Sequence, residues 1–217
     1  MMMMNEHVFK VREVDGVMEF IGDFEGLYRS EDDPWEQSVR FGSQQNQLTD
    51  ILNIAYTEKF SYLEIGCGLG YRMDWVFNKT KARPVMGMDI SEVALDKALK
   101  IFPDYTYWHG DIRKDVLNLD FDCICLMGTL WYVMYDLELV LDNVYTMLKP
   151  GGRFVISQIW VGEQKYGTDV FMGFGGFLEY LLSLCMGDDY YEVEKAIFQR
   201  SISEEGYYDT QVVLRKV

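Results

Sequence analysis

Thiols and neutral-pH bases are scarce in this chain, whose 217 residues include four cysteines and two histidines. Cys67, Cys123, Cys125 and Cys185 form no C-x-x-C pair, so the usual zinc and dithiol-redox patterns are missing and no metal site is expected. Thiols used this sparingly suit a reducing cytoplasm. Basic residues are also few: twenty Lys and Arg face thirty-five Asp and Glu, a formal charge of −15. Such a surface repels phosphate polymers and anionic headgroups, so neither nucleic acid nor a membrane is an expected partner. Long apolar runs are lacking too. The strongest, residues 170–187 (VFMGFGGFLEYLLSLCMG), contains Glu179 and glycines 173, 175 and 176, and falls short of the roughly 20 residues a membrane span needs. A buried helix, a lid or a subunit contact is expected there, the last of which would make a homodimer. The opening MMMM leads into Asn5, Glu6 and His7 without the basic and apolar regions of a secretion signal, so export is not expected. No repeat period, no low-complexity linker and no phosphate-cradling G-x-x-x-x-G-K-[ST] loop occurs.

What is present has the size and composition of one globular domain, with 49% hydrophobic and 25% charged residues. After an N-terminal extension, taken as residues 1–44, the pattern alternates. Leu48, Ile51, Leu52 and Ala55 recur at helical spacing. SYLEI reads as a strand, and residues 71–79 as a helix. PVMGMDI is a strand, followed by SEVALDKALKIF, a helix with Ser91 placed to cap it. YTYWHGD, FDCICLMG and RFVISQIW read as further strands, with a helix over 136–148 stopped by Pro150-Gly151-Gly152. Cys123 and Cys125, two apart on a strand, share a face and read as small core residues. The last two apolar segments, YYEVEKAIFQRSI and YYDTQVVLRKV, flank a turn with Gly206 and suit an antiparallel hairpin at the sheet edge. The fold class is therefore α/β: a doubly wound, mostly parallel seven-stranded sheet with an antiparallel C-terminal hairpin. In the extension, Asp15-Gly16 hints at a hairpin, although residues 18–28 equally suit a helix.

YLEIGCGLG, residues 62–70, places three glycines at every second position behind the first of these parallel strands. A glycine turn between a strand and a helix brings backbone N–H groups against a ligand. The dinucleotide pattern G-x-G-x-x-G would need a glycine where Tyr71 stands, which argues against NAD and FAD. A nucleoside without that pyrophosphate remains. Asp89, nineteen residues after Gly70, is placed to accept from ribose hydroxyls, and Asp111 in HGDI to meet an adenine amine.

LEIGCGLG, MDIS, HGDI, DCICLMG and LKPGGRFVIS together resemble the class I S-adenosylmethionine-dependent methyltransferase family over roughly residues 45–160 plus the terminal hairpin. The resemblance implies a domain over 45–217 that takes S-adenosyl-L-methionine as cofactor and leaves S-adenosyl-L-homocysteine. It implies that Glu64 is a cofactor residue and that Gly66, Cys67 and Gly68 lie against the methionine part. Asp89 and Ile90 would hold the ribose, Asp111 and Ile112 would flank the adenine, and Met127 with Gly128 would pass beneath the sulfonium. The segment YRSEDDPWEQSVRF looks like the D-P-W stretch of nodulation-type N-methyltransferases, which would make Tyr28, Trp35 and Arg40 a cover for cofactor or acceptor. Trp131 and Tyr132 follow Gly128 and would wall an acceptor pocket. No catalytic base is evident, since His109 belongs beside the adenine and His7 to the extension. The expected activity is methyl transfer to an amine or hydroxyl of a small molecule, a sugar or specialised metabolite. A protein methyltransferase and a binder without chemistry are the alternatives.

Overall fold

The computed structural model describes residues 6–12, 18–39, 43–185, 190–200 and 207–217. The extension forms a hairpin, β1 (Phe9–Val11) against β2 (Met18–Phe20), followed by a helix, α1 (Phe24–Ser30). The hairpin reading holds at residues 18–20 and the helix begins only at Phe24, where the Asp23 carboxylate accepts the Gly26 N–H to cap it. The turn at Asp15-Gly16 and the turn at Gly206 lie outside the described residues.

The remainder runs α2 (Ser43–Ala55), β3 (Phe60–Ile65), α3 (Tyr71–Lys79), β4 (Ala82–Asp89), α4 (Glu92–Ile101), β5 (Thr106–His109) and β6 (Phe121–Met127). There follow α5 (Leu130–Val133), a 3-10 turn, α6 (Leu137–Met147), β7 (Leu148–Val161), α7 (Gly173–Leu184), β8 (Tyr191–Arg200) and β9 (Tyr207–Lys216). The seven-stranded sheet has the order β5-β4-β3-β6-β7-β9-β8, parallel through β7 and antiparallel beyond it. The order reverses between β3 and β6, the position where open α/β sheets leave a crevice at the strands' carboxyl ends. Register brings the ends of four strands to that edge, with Ile65 beside Met88 and Leu126, Asp89 beside His109, and Met127 beside Ser157.

The alternation of β3 and β6 divides the core. Tyr62, Cys123, Cys125 and Val155 pack under α2 and α3, while Leu63, Ile124, Phe154 and Ile156 pack under α6 and α7. All four cysteines are buried and free, Cys123 and Cys125 on the shared face expected of them. Burying one side chain such as Leu141, fully covered here, stabilises by about 1.5–3 kcal/mol. Ser91 caps α4 as expected, its hydroxyl accepting the Ala94 N–H at 3.1 Å. The chain leaves α6 earlier than Pro150 requires, for Leu148 already pairs with Phe121 as the first residue of β7. The described part of the apolar segment supplies α7, Gly173–Leu184, a helix with Phe177 and Leu181 in the core and Leu182 exposed. Among the described residues no helix is long and apolar enough to cross a membrane, and no cluster of His, Cys, Asp and Glu is arranged to hold a metal ion.

Candidate active site

The glycine loop leaves β3 at the crevice. Gly66 and Cys67 donate their N–H groups to the Met88 carbonyl at 2.8 and 3.1 Å, tying the loop to β4. Gly66 and Gly68 have φ of +72° and +53°, in the left-handed region where a side chain is strained. A Cβ on Gly66 would collide with the Thr129 hydroxyl, and one on Gly68 would lie 2.6 Å from the Tyr28 hydroxyl and 2.7 Å from Gln37 Oε1. At Gly68, then, the extension of the same chain presses on the loop. Gly66, Gly128 and Thr129 stay partly open beside it.

Two buried carboxylates face this loop. Asp89, 7% exposed at the end of β4, accepts the Gly68 N–H at 2.8 Å and the Ser91 N–H at 2.9 Å, one on each oxygen. Burial pushes its carboxyl above the ordinary range, opposed by the N–H groups of Ser91, Gly68 and Ile90. A carboxylate oxygen takes more than one donor, so both oxygens retain capacity for hydroxyls. Glu64, 1% exposed, accepts from Arg72 Nε at 2.9 Å through Oε1, while its Oε2 is buried with no partner. Burial raises its carboxyl and the Arg72 guanidinium pulls it back. The rest of the guanidinium extends toward Gly128, where an added Cβ would stand 3.8 Å from Nη1.

The other expected residues distribute around this centre. Ile90 is 39% exposed beyond Asp89, and its carbonyl meets His109 Nε2 at 3.0 Å. Asp111 is paired bidentately with Arg113, Oδ1 to Nε at 2.9 Å and Oδ2 to Nη2 at 2.8 Å, and Arg113 also reaches Asp136. Ile112 and Met127 are buried, and Met127 packs in the sheet core under α2 and α3. Trp131 stacks edge-on against Trp160 in the core, whereas Tyr132 turns toward the extension and meets Phe20, Phe24 and Trp35 with ring centroids 5.0–6.2 Å apart. Tyr28 is buried against Leu69. Arg40 lies outside the described residues. His7 holds Asp23 at 3.0 Å in the extension.

Three residues with a part here escape sequence reasoning. Arg72 carried a signal: a cation in the first turn of a helix opposes the helix dipole, so it needs an acid, which Glu64 supplies. Gln37 and Glu25 carried none, being polar residues of the extension whose partners lie 32 and 67 positions away.

Residues 63–156 match the family described as Methyltransferase domain. The matched stretch runs from β3 into β7 and carries the glycine loop and the crevice of the sheet. Over 127 residues the chain is 25% identical to the dTDP-4-amino-2,3,4,6-tetradeoxy-D-glucose N,N-dimethyltransferase of Saccharopolyspora spinosa, covering 57% of this chain and 50% of that protein. The chain thus spans about half the length of the curated relatives it matches. In fold it is similar to the N-methyltransferase NodS of Bradyrhizobium japonicum WM9 solved with S-adenosyl-L-homocysteine, with TM-score 0.63, 18% identity and coverage of 89% of this chain and 97% of that one. It is also similar to the [4+2]-cyclase SpnF, with TM-score 0.61, 15% identity and coverage of 84% and 85%. A cyclase among the neighbours means that fold alone does not name the reaction.

Proposed function

We propose that this protein transfers a methyl group from S-adenosyl-L-methionine to an amine of a small molecule, a hydroxyl acceptor being the second choice. The observation that carries the reading is the single receptor made by Asp89 and the glycine loop, joined through the 2.8 Å bond to Gly68 N–H at the crevice of the sheet. The residues present fit the cofactor. Gly66, left-handed and partly open, offers a cradle, Asp89 retains acceptor capacity for a ribose, and the orphaned Glu64 Oε2 is a buried acceptor awaiting a cationic donor such as an amino group. In this reading Glu64, Gly66, Cys67 and Gly68 hold the methionine part, Asp89 and Ile90 the sugar, and Asp111 and Ile112 the base. Met127 and Gly128 underlie the sulfonium, and Tyr28, Trp35, Tyr132 and Arg40 cover the acceptor side, with Trp131 supporting Tyr132. Residues 1–44 then act as the cover and 45–217 as the cofactor domain.

The bound cofactor supplies a methyl group already activated by its sulfonium. This chain's part is to align the acceptor with that carbon and to exclude water. The side chains that an added Cβ would meet at Gly66 and Gly128 are Thr129 and Arg72, and Tyr132 packs against the extension nearby in sequence. None is a base at neutral pH, as burial raises the Tyr132 phenol and the ion pair with Glu64 keeps Arg72 protonated. That lining suits an acceptor that brings its own lone pair, an amine, better than an alcohol that must lose a proton. The sugar-amine relatives support the same preference. Four buried free thiols support a reducing, cytoplasmic setting.

Calorimetry with S-adenosyl-L-homocysteine tests the receptor. Loss of a charge-assisted bond costs about 1.5–3 kcal/mol, so Asp89→Ala should weaken binding by roughly 10- to 100-fold. An unchanged affinity, or no binding to the unaltered chain, defeats the reading. Release of S-adenosyl-L-homocysteine in the presence of amino-sugar nucleotides then tests the acceptor class.

A further inference from the structure

The Gln37 carboxamide is 8% exposed and spans Gly68. Its Oε1 accepts the Leu69 N–H at 2.8 Å and its Nε2 points to the Cys67 carbonyl at 3.5 Å. Between these, the Gly68 N–H is taken by Asp89. The two backbone N–H groups in the middle of the cofactor loop are thus held from opposite sides, one by the core and one by the extension. Leu69 is 2% exposed, so without Gln37 its N–H would be left in a nearly dry position with no partner.

The turn that delivers Gln37 is built for the purpose. Asp33 accepts the Gln37 N–H on Oδ1 at 2.8 Å and the Ser38 N–H on Oδ2 at 2.9 Å. Glu36, just before Gln37, has φ of +51°, a left-handed conformation rare for a residue with a side chain and held only where surroundings over-determine it. A second contact of the same kind lies on the other side of Asp89. Glu25 Oε1 accepts the Glu92 N–H at 2.6 Å, so α1 caps the helix that follows the ribose-side carboxylate. Lys97 of that helix returns to the Glu31 carbonyl at 2.8 Å.

We propose that Gln37 is a positioning residue that sets the shape of the glycine loop, so that docking of the extension and readiness of the cofactor site are one event. The carboxamide reads only backbone and needs no particular side chain at 67 or 69, but it requires glycine at 68, where a Cβ would strike it. The cofactor side of the inference rests on the reading under Proposed function; the loop side does not.

The test is amide hydrogen exchange on the full chain without ligand, comparing unaltered protein with Gln37→Met, which keeps the volume and removes both hydrogen bonds. One hydrogen bond is worth about a factor of ten, so Leu69 should exchange roughly tenfold faster while Ile124, in central strand β6, is unchanged. Asp33→Ala, which frees the turn without touching the loop, should move Leu69 in the same direction by less. Affinity for S-adenosyl-L-homocysteine should fall about tenfold in Gln37→Met. An unchanged Leu69 rate overturns the proposal, and so does equal acceleration at Leu69 and Ile124, the mark of a merely structural role. If the unaltered chain fails to bind the probe, the functional reading fails and the exchange result alone still decides the loop.

Discussion

Gly68→Ala separates two costs that meet at one atom. The first is backbone: at φ of +53° an L-residue pays about 1–2 kcal/mol to enter the left-handed region. The second is contact, since the new Cβ would stand 2.6 Å from the Tyr28 hydroxyl and 2.7 Å from Gln37 Oε1. Tyr28, 3% exposed, and Gln37 must both give way, and the Gln37 carboxamide, the end of a flexible side chain, lifts. Lifting it leaves the buried Leu69 N–H unpaired, a penalty of about 1–3 kcal/mol. The sum is about 2–5 kcal/mol. Gly151→Ala isolates the first cost, because Gly151 has φ of +74° and an added Cβ there meets nothing within 4 Å. Both substitutions also trim the unfolded chain's freedom by the same amount, which cancels in the comparison. Urea unfolding of the two variants should therefore show Gly68→Ala less stable than Gly151→Ala by about 1–3 kcal/mol. Equal losses would refute the claim that the extension presses on the loop.

Two further experiments probe the charges around the sheet. Arg72→Met should destabilise by about 3–5 kcal/mol by stranding the buried Glu64 carboxylate, and adding Glu64→Gln should recover a large part of it; a single-variant loss below about 1 kcal/mol in urea unfolding would mean the pair is not desolvated. At the opposite end of the strands burial raises the Asp122 carboxyl, but hydrogen bonds from Lys149 and Ser61 outweigh it and hold the group below its ordinary value. A depressed carboxyl stabilises above its unfolded pKa of about 4 and loses that contribution as pH falls through the folded value. Asp122→Ala should thus cost about 1–3 kcal/mol at pH 7 and visibly less at pH 3; a loss undiminished in acid would contradict this.

The elements were legible because each buries its apolar positions at its own period. SYLEI and FDCICLMG read as near-continuous apolar runs, and they are the central strands β3 and β6, covered on both faces. Asp89 was legible for a related reason: the end of β4 is fixed by where its apolar run stops, and register then carries that residue to the crevice. The hairpin and helix competing for residues 18–28 were not resolved in advance, since each is only a few residues long and both are used.

The glycine loop shows where such reading must stop. A glycine with positive φ announces only that something comes too close for a Cβ, and a ligand or the protein's own chain makes the same demand. Gly66 faces the open side of the crevice beside Gly128 and Thr129, whereas Gly68, two residues on, is covered by Tyr28 and Gln37. One spacing therefore meets two surroundings, the open crevice at Gly66 and a seat for the extension at Gly68. The second is invisible in sequence because a carboxamide meeting backbone at a separation of 32 positions leaves neither a period nor a complementary charge behind. The Arg72 to Glu64 pair left the opposite trace, a misplaced cation at a helix start, since charge must be balanced locally while a backbone hydrogen bond need only be found.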